Sequence, residues 1–233
     1  MPESVKRRGS SGPTIGAMLG LWSGVVAMAS AKDTVSEVSD LRPPATSPRR
    51  SALAILFALV ALMWVLEVVD LALDHRLDRY GIEPRDPDGL DGVVTAPFLH
   101  VGFAHLIANT LPFVVMGVVI AFEGPLRLIG VTVIAALVSG LGTWLIAPEG
   151  TIHLGASGVV FGYATYLISR GAFNRRLVEI AIGAAVALIL GGALLAGLEP
   201  QQGISWQGHL FGAIGGVVAA RVLARPRDRP VPA

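Results

Sequence analysis

The chain has 233 residues, of which 53% are apolar, and a further 28 are glycine, while only 15% are charged. A mean hydropathy of +0.65 with so few charges excludes disorder over most of the length and an ordinary soluble surface. The absence of cysteine excludes disulfides, zinc-thiolate sites and cysteine nucleophiles, and a net charge of +1 is uninformative about polyanions. What remains is a membrane protein.

Residues 1–50 are expected to form a flexible N-terminal tail. Lys6, Arg7 and Arg8 precede a weakly apolar stretch from Thr14 to Met28 and then Ala29-Ser30-Ala31. That order fits a secretory leader, and it equally fits a cytoplasmic tail or a start at Met28. Pro43, Pro44 and Pro48 mark residues 32–50 as linker.

A spanning helix needs roughly 20 apolar residues. Such stretches run from Ser51 to Val69, Gly102 to Phe122 and Leu126 to Ala147. Three more run from Leu154 to Ser169, Leu177 to Leu198 and Ile204 to Leu223. Six spans over residues 51–223 with both termini inside place 15 of the 18 Lys and Arg residues on cytoplasmic segments. Only Arg76, Arg79 and Arg85 then lie outside, as the positive-inside rule demands. Residues 224–233 form a short basic C-terminal tail. The fold expected is an all-α membrane protein, a six-helix bundle with N- and C-termini cytoplasmic.

Polar side chains inside spans are costly and are functional candidates by default. His105 and Asn109 fall near the start of the second span, Ser157 near the start of the fourth and His209 near the start of the sixth. Even-numbered spans all run inward, so these groups share one depth close to the outer face. Ser157 lies in Gly155-Ala156-Ser157-Gly158, which read alone is a small-residue packing face with Gly162. A serine hydroxyl becomes a nucleophile only beside a base. His209 is the foremost candidate, although alone it reads equally as a histidine bonded to a backbone carbonyl. Gly208, Gly212 and Gly216 recur every four residues and let another helix approach closely. His105 and Asn109 share a helix face and can both donate toward one point, as an oxyanion needs, or can act as interhelical glue. His153, four residues before Ser157, is a competing base, and His100 is expected at the membrane surface. The HExxH zinc motif is absent, and no carboxylate accompanies these histidines at their depth, Glu67 and Asp70 lying at the outer end of the first span.

The three motifs His105-Leu106-Ile107-Ala108-Asn109, Gly155-Ala156-Ser157-Gly158 and His209-Leu210-Phe211-Gly212, in this order, resemble the rhomboid family of intramembrane serine proteases. The resemblance covers about residues 51–223. It implies Ser157 as nucleophile and His209 as base, a dyad without aspartate, with His105, Asn109 and the Ser157 N–H as the oxyanion hole. Gly155, Gly158 and Gly212 are the motif glycines. It implies cleavage of single-pass transmembrane substrates in or near the membrane from the outer face of a bacterial cell membrane. No cofactor, metal or nucleic acid is implied. Two departures stand out. The first outer loop has no tryptophan for a Trp-Arg pair and holds Tyr80-Gly81-Ile82 and Pro84-Arg85 instead, and Phe161 replaces a tyrosine one turn after the serine. A catalytically silent relative that binds membrane clients, or a small transporter with a polar path through His105, Asn109 and His209, are the alternatives.

Overall fold

The computed structural model describes residues 47–224. The expectations for residues 1–46 and 225–233, leader or tail, lie outside the described residues. Six long helices follow one another: α1 (Pro48–Ala72), α2 (Phe103–Ala121), α3 (Pro125–Ile146), α4 (Ser157–Asn174), α5 (Leu177–Gly197) and α6 (Trp206–Val222). Each overlaps one expected apolar stretch. Four of them, α1, α2, α3 and α5, are long and apolar enough to cross a membrane. Helices α4 and α6 are the two shortest of the six, and neighbouring helices cover much of their surface.

Helix α1 begins before the expected Ser51. Ser47 caps it by accepting from the Arg50 N–H at 3.3 Å, and Pro48 occupies the first turn, where its missing N–H is not needed. Residues 48–50 therefore belong to the helix and not to a flexible tail.

Helix α4 is the axis of the bundle. It packs against α6, α5, α3 and α2, and Tyr163, Ala164 and Leu167 on it are fully buried. Glycine makes this crowding feasible. A Cβ on Gly212 would lie 2.1 Å from the Gly158 carbonyl oxygen, and one on Gly216 would lie 2.0 Å from that of Gly162. The two helices thus touch backbone to backbone, the close approach small residues permit. Ser139 of α3 ties α6 to α3 by donating to the Gly208 carbonyl at 2.8 Å.

At the far end of α4, Arg170 is buried and ion-paired with Glu123, which Tyr166 and Arg127 also approach. Burying one charge without the other would cost several kcal/mol, so the pair anchors the α2–α3 turn against α4.

The segment between α1 and α2 is folded. It holds 3-10 turns at Asp78–Tyr80, Asp88–Leu90 and Ala96–Phe98 around a one-turn helix at Gly92–Thr95. It reaches α3 through a tryptophan that is not its own. Trp144 of α3 donates to the Asp86 carbonyl at 2.8 Å. Arg85 donates to the Ala147 carbonyl at 2.9 Å and pairs with Glu149. Ile82 and His153 exchange backbone hydrogen bonds of 2.8 and 2.9 Å, which fastens the loop to the α3–α4 connection.

Candidate active site

Ser157 is the first residue of α4. The turn before it depends on Gly155, whose φ of +118° is a region side chains rarely adopt. A Cβ there would also lie 2.6 Å from His105 Cε1 and 3.6 Å from Asn109 Nδ2. His105 and Asn109 therefore stand directly over the backbone that leads into Ser157.

The chain on this turn is held by two outside acceptors. Gly155 N–H donates to the Ala96 carbonyl at 2.8 Å, and Ala156 N–H donates to His100 Nε2 at 3.3 Å. The Ser157 N–H that follows opens the helix and has no acceptor within it. Asn109 is buried, and its Nδ2 has no hydrogen-bond partner. A buried unpaired donor costs about 1–3 kcal/mol. That cost argues against interhelical glue for this atom and leaves it free to bind a developing negative charge.

His209 stands in the first turn of α6. Its Nδ1 lies 2.7 Å from the Gly197 carbonyl oxygen, to which it can only donate. The other ring nitrogen, Nε2, is thereby the unprotonated one, as a general base requires. The Phe161 ring stacks on the imidazole, with centroids 4.2 Å apart and planes within 7°. A Cβ on Gly197 would meet Phe161 at 2.6 Å and His209 Nδ1 at 3.1 Å, so this contact requires glycine. Gly197 has no motif around it and was not singled out by the sequence.

Ser157, His209, His105 and Asn109 all line one open cleft of about 1080 Å³. Leu190 and Leu194 of α5 and the Pro200–Ser205 connection form its other wall. Among the described residues no hydrogen bond joins Ser157 to His209. Such contacts are often long without substrate and tighten on binding.

His153 is otherwise engaged. Its Nδ1 is 2.8 Å from Ser205 Oγ and its Nε2 is 2.8 Å from Thr151 Oγ1. Thr151 donates onward to the Pro148 carbonyl, and Ser205 accepts from the Gly208 N–H at 3.3 Å as the cap of α6. Every member is satisfied with a neutral imidazole protonated on Nε2, and burial lowers the His153 pKa accordingly. No ring nitrogen is left for Ser157.

His100 is buried within the protein, 2% exposed, and stands edge-on to His105 with ring centroids 5.2 Å apart. Burial, and then the neighbouring His105, push its pKa down to about 4. A neutral Nε2 is what accepting the Ala156 N–H demands.

The fold and this cleft define a multi-pass helical membrane protein with serine and histidine gathered at one end. The family description Rhomboid domain matches residues 88–226, more than half of the chain. The chain belongs to the rhomboid family. It is 43% identical to an uncharacterized protein of Mycobacterium tuberculosis, over 73% of this chain and 74% of that one. A counterpart in Mycobacterium leprae is 42% identical, over 73% of this chain and 70% of that one. Similarity extends to Rhomboid protease GluP of Bacillus subtilis, 29% identical over 58% of this chain and 26% of that protein.

Proposed function

We propose that this chain is an intramembrane serine endopeptidase that cuts single-pass transmembrane proteins in or near their membrane segment. The observation that carries the reading is His209, with Nδ1 tied to the Gly197 carbonyl and Phe161 against its face, on the cleft that Ser157 also lines. Ser157 is the nucleophile and His209 the base. His209 Nε2 takes the hydroxyl proton as Oγ attacks the scissile carbonyl carbon. The carbonyl oxygen becomes an oxyanion held by Asn109 Nδ2, His105 and the Ser157 N–H. Collapse of this intermediate breaks the C–N bond, and His209 gives its proton to the leaving amine. Water then enters with His209 again as base, and the acyl group leaves as a carboxylate. The Gly197 carbonyl takes the orienting role that a carboxylate fills in a triad, fixing tautomer and ring plane without adding a charge within the membrane.

Six spans, both termini in the cytoplasm and a cleft open toward the outer face complete the reading. Its motivation is the distribution of Lys and Arg. The direct test is labelling of the purified protein in detergent with a fluorophosphonate probe, followed by cleavage of a model transmembrane substrate. Labelling lost in Ser157→Ala and His209→Ala but kept in His153→Ala supports the dyad. A folded wild type that neither labels nor cleaves replaces this reading with a silent, client-binding relative.

A further inference from the structure

At the end of α1 opposite Pro48, three carboxylates are gathered with a histidine beside them. Glu67 and Asp70 are each 2% exposed, one helical turn apart on the same face. His75 and Asp78 follow in the first turns of the loop, and ligand atoms of Asp70, His75 and Asp78 lie within 4.8 Å of one another. Asp70 Oδ1 accepts the Leu77 N–H at 2.6 Å, while its Oδ2 is 3.4 Å from His75 Nδ1.

A second observation is independent of that cluster. Both Glu67 oxygens are buried without a hydrogen-bond partner, and so is Asp78 Oδ1. The Glu67 carboxylate stands within electrostatic reach of Asp70, Asp78 and His75, and the Gly102 amide lies beside it. Among the described residues no Lys or Arg pairs with Glu67, Asp70 or Asp78. The end of a helix is its negative pole, and the last turn of α1 carries no basic residue. Left alone, the arrangement is repulsive; a cation at its centre would reverse every one of these signs.

We propose that Glu67, Asp70, His75 and Asp78 form a binding site for one divalent transition-metal ion, Zn²⁺ or Mn²⁺. Carboxylates alone would suit Ca²⁺ or Mg²⁺, but an imidazole in the set favours an ion that accepts both nitrogen and oxygen. The ion fastens the end of α1 to the loop and, through Glu67 beside Gly102, to the start of α2, three residues before His105. Its role is structural and separate from the cleft, and it does not depend on the protease reading.

The test uses the full-length protein in detergent, stripped with EDTA and dialysed against Zn²⁺, Mn²⁺, Ca²⁺ or Mg²⁺. Bound metal is counted by mass spectrometry and the thermal unfolding midpoint followed. One equivalent of Zn²⁺ or Mn²⁺ and a raised midpoint are expected. His75→Ala, at an exposed position, and the near-isosteric Asp78→Asn should each weaken binding by at least about tenfold, the loss seen even for outer-shell partners. Ser157→Ala should leave binding unchanged. No saturable binding below millimolar metal overturns the proposal, as does binding that survives both ligand variants, which would place the ion on other histidines. Preference for Ca²⁺ or Mg²⁺ overturns the assigned class.

Discussion

At the scale of single residues, the cleft contains groups whose stability cost has no structural return. Asn109 buries an unpaired amide nitrogen, and removing it relieves a desolvation penalty of about 1–3 kcal/mol. If that nitrogen binds the oxyanion, Asn109→Ala should lower kcat by roughly 10²–10³. The unfolding midpoint should not fall with it, because the lost packing is offset by the relieved donor. Cleavage rates and melting curves on the same preparation check both halves. His100 makes a different prediction. Its folded pKa of about 4 is depressed from 6.5, so the folded state binds fewer protons than the unfolded state between these values. Its contribution is complete above about pH 6.5 and disappears as the pH falls toward 4, on the order of 3 kcal/mol in total. His100→Gln should flatten that part of the stability profile, measured by unfolding midpoints across the range.

At the scale of elements, the α4–α6 crossing brings Ser157 and His209 to one cleft, and it has no room to spare. A methyl on Gly212 would meet the Gly158 carbonyl oxygen at 2.1 Å. Gly212→Ala should therefore force the helices apart, at a cost of about 1–3 kcal/mol. Activity should fall further than stability does, since the displacement acts directly on the nucleophile–base distance. Ser205→Ala removes the cap of α6 and the partner of His153 Nδ1 together. The lost cap alone should cost about 0.5–2 kcal/mol, read as a lower unfolding midpoint. The helices themselves were legible in the sequence, because an apolar run long enough to span is a local signal. The glycine spacing of α6 was legible for the same reason. What joins distant segments was not. Trp144 meets the α1–α2 loop 58 residues before it, His209 finds its acceptor at Gly197, and His100 meets a turn 56 residues later. The α1–α2 loop has no tryptophan of its own, and only the fold shows what takes its place. An aromatic side chain from α3 reaches into the loop instead.

For the whole molecule, the open question is which way the bundle faces, and the chain offers a clean way to ask. Its Lys and Arg residues crowd the segments at the end of α4 and beyond α6, while the cleft lies at the end where α4 and α6 begin. If the positive-inside rule sets the orientation, the cleft opens to the outer face and substrates meet water from that side. The chain contains no cysteine, so a single introduced thiol reports its own position without background. Gln202, in the exposed connection before α6, and Arg176, exposed between α4 and α5, are on opposite ends of the bundle. In intact cells, Gln202→Cys should react with a membrane-impermeant maleimide, and Arg176→Cys should react only after permeabilisation. The reverse pattern would turn the molecule over and place the proposed protease on the cytoplasmic side. Equal reactivity of both in intact cells would mean an even number of crossings between them, contrary to α5 crossing once. With the expected pattern, α5 is fixed as a single crossing. The Leu190 and Leu194 wall of the cleft then lies within the bilayer, where a transmembrane substrate would meet it.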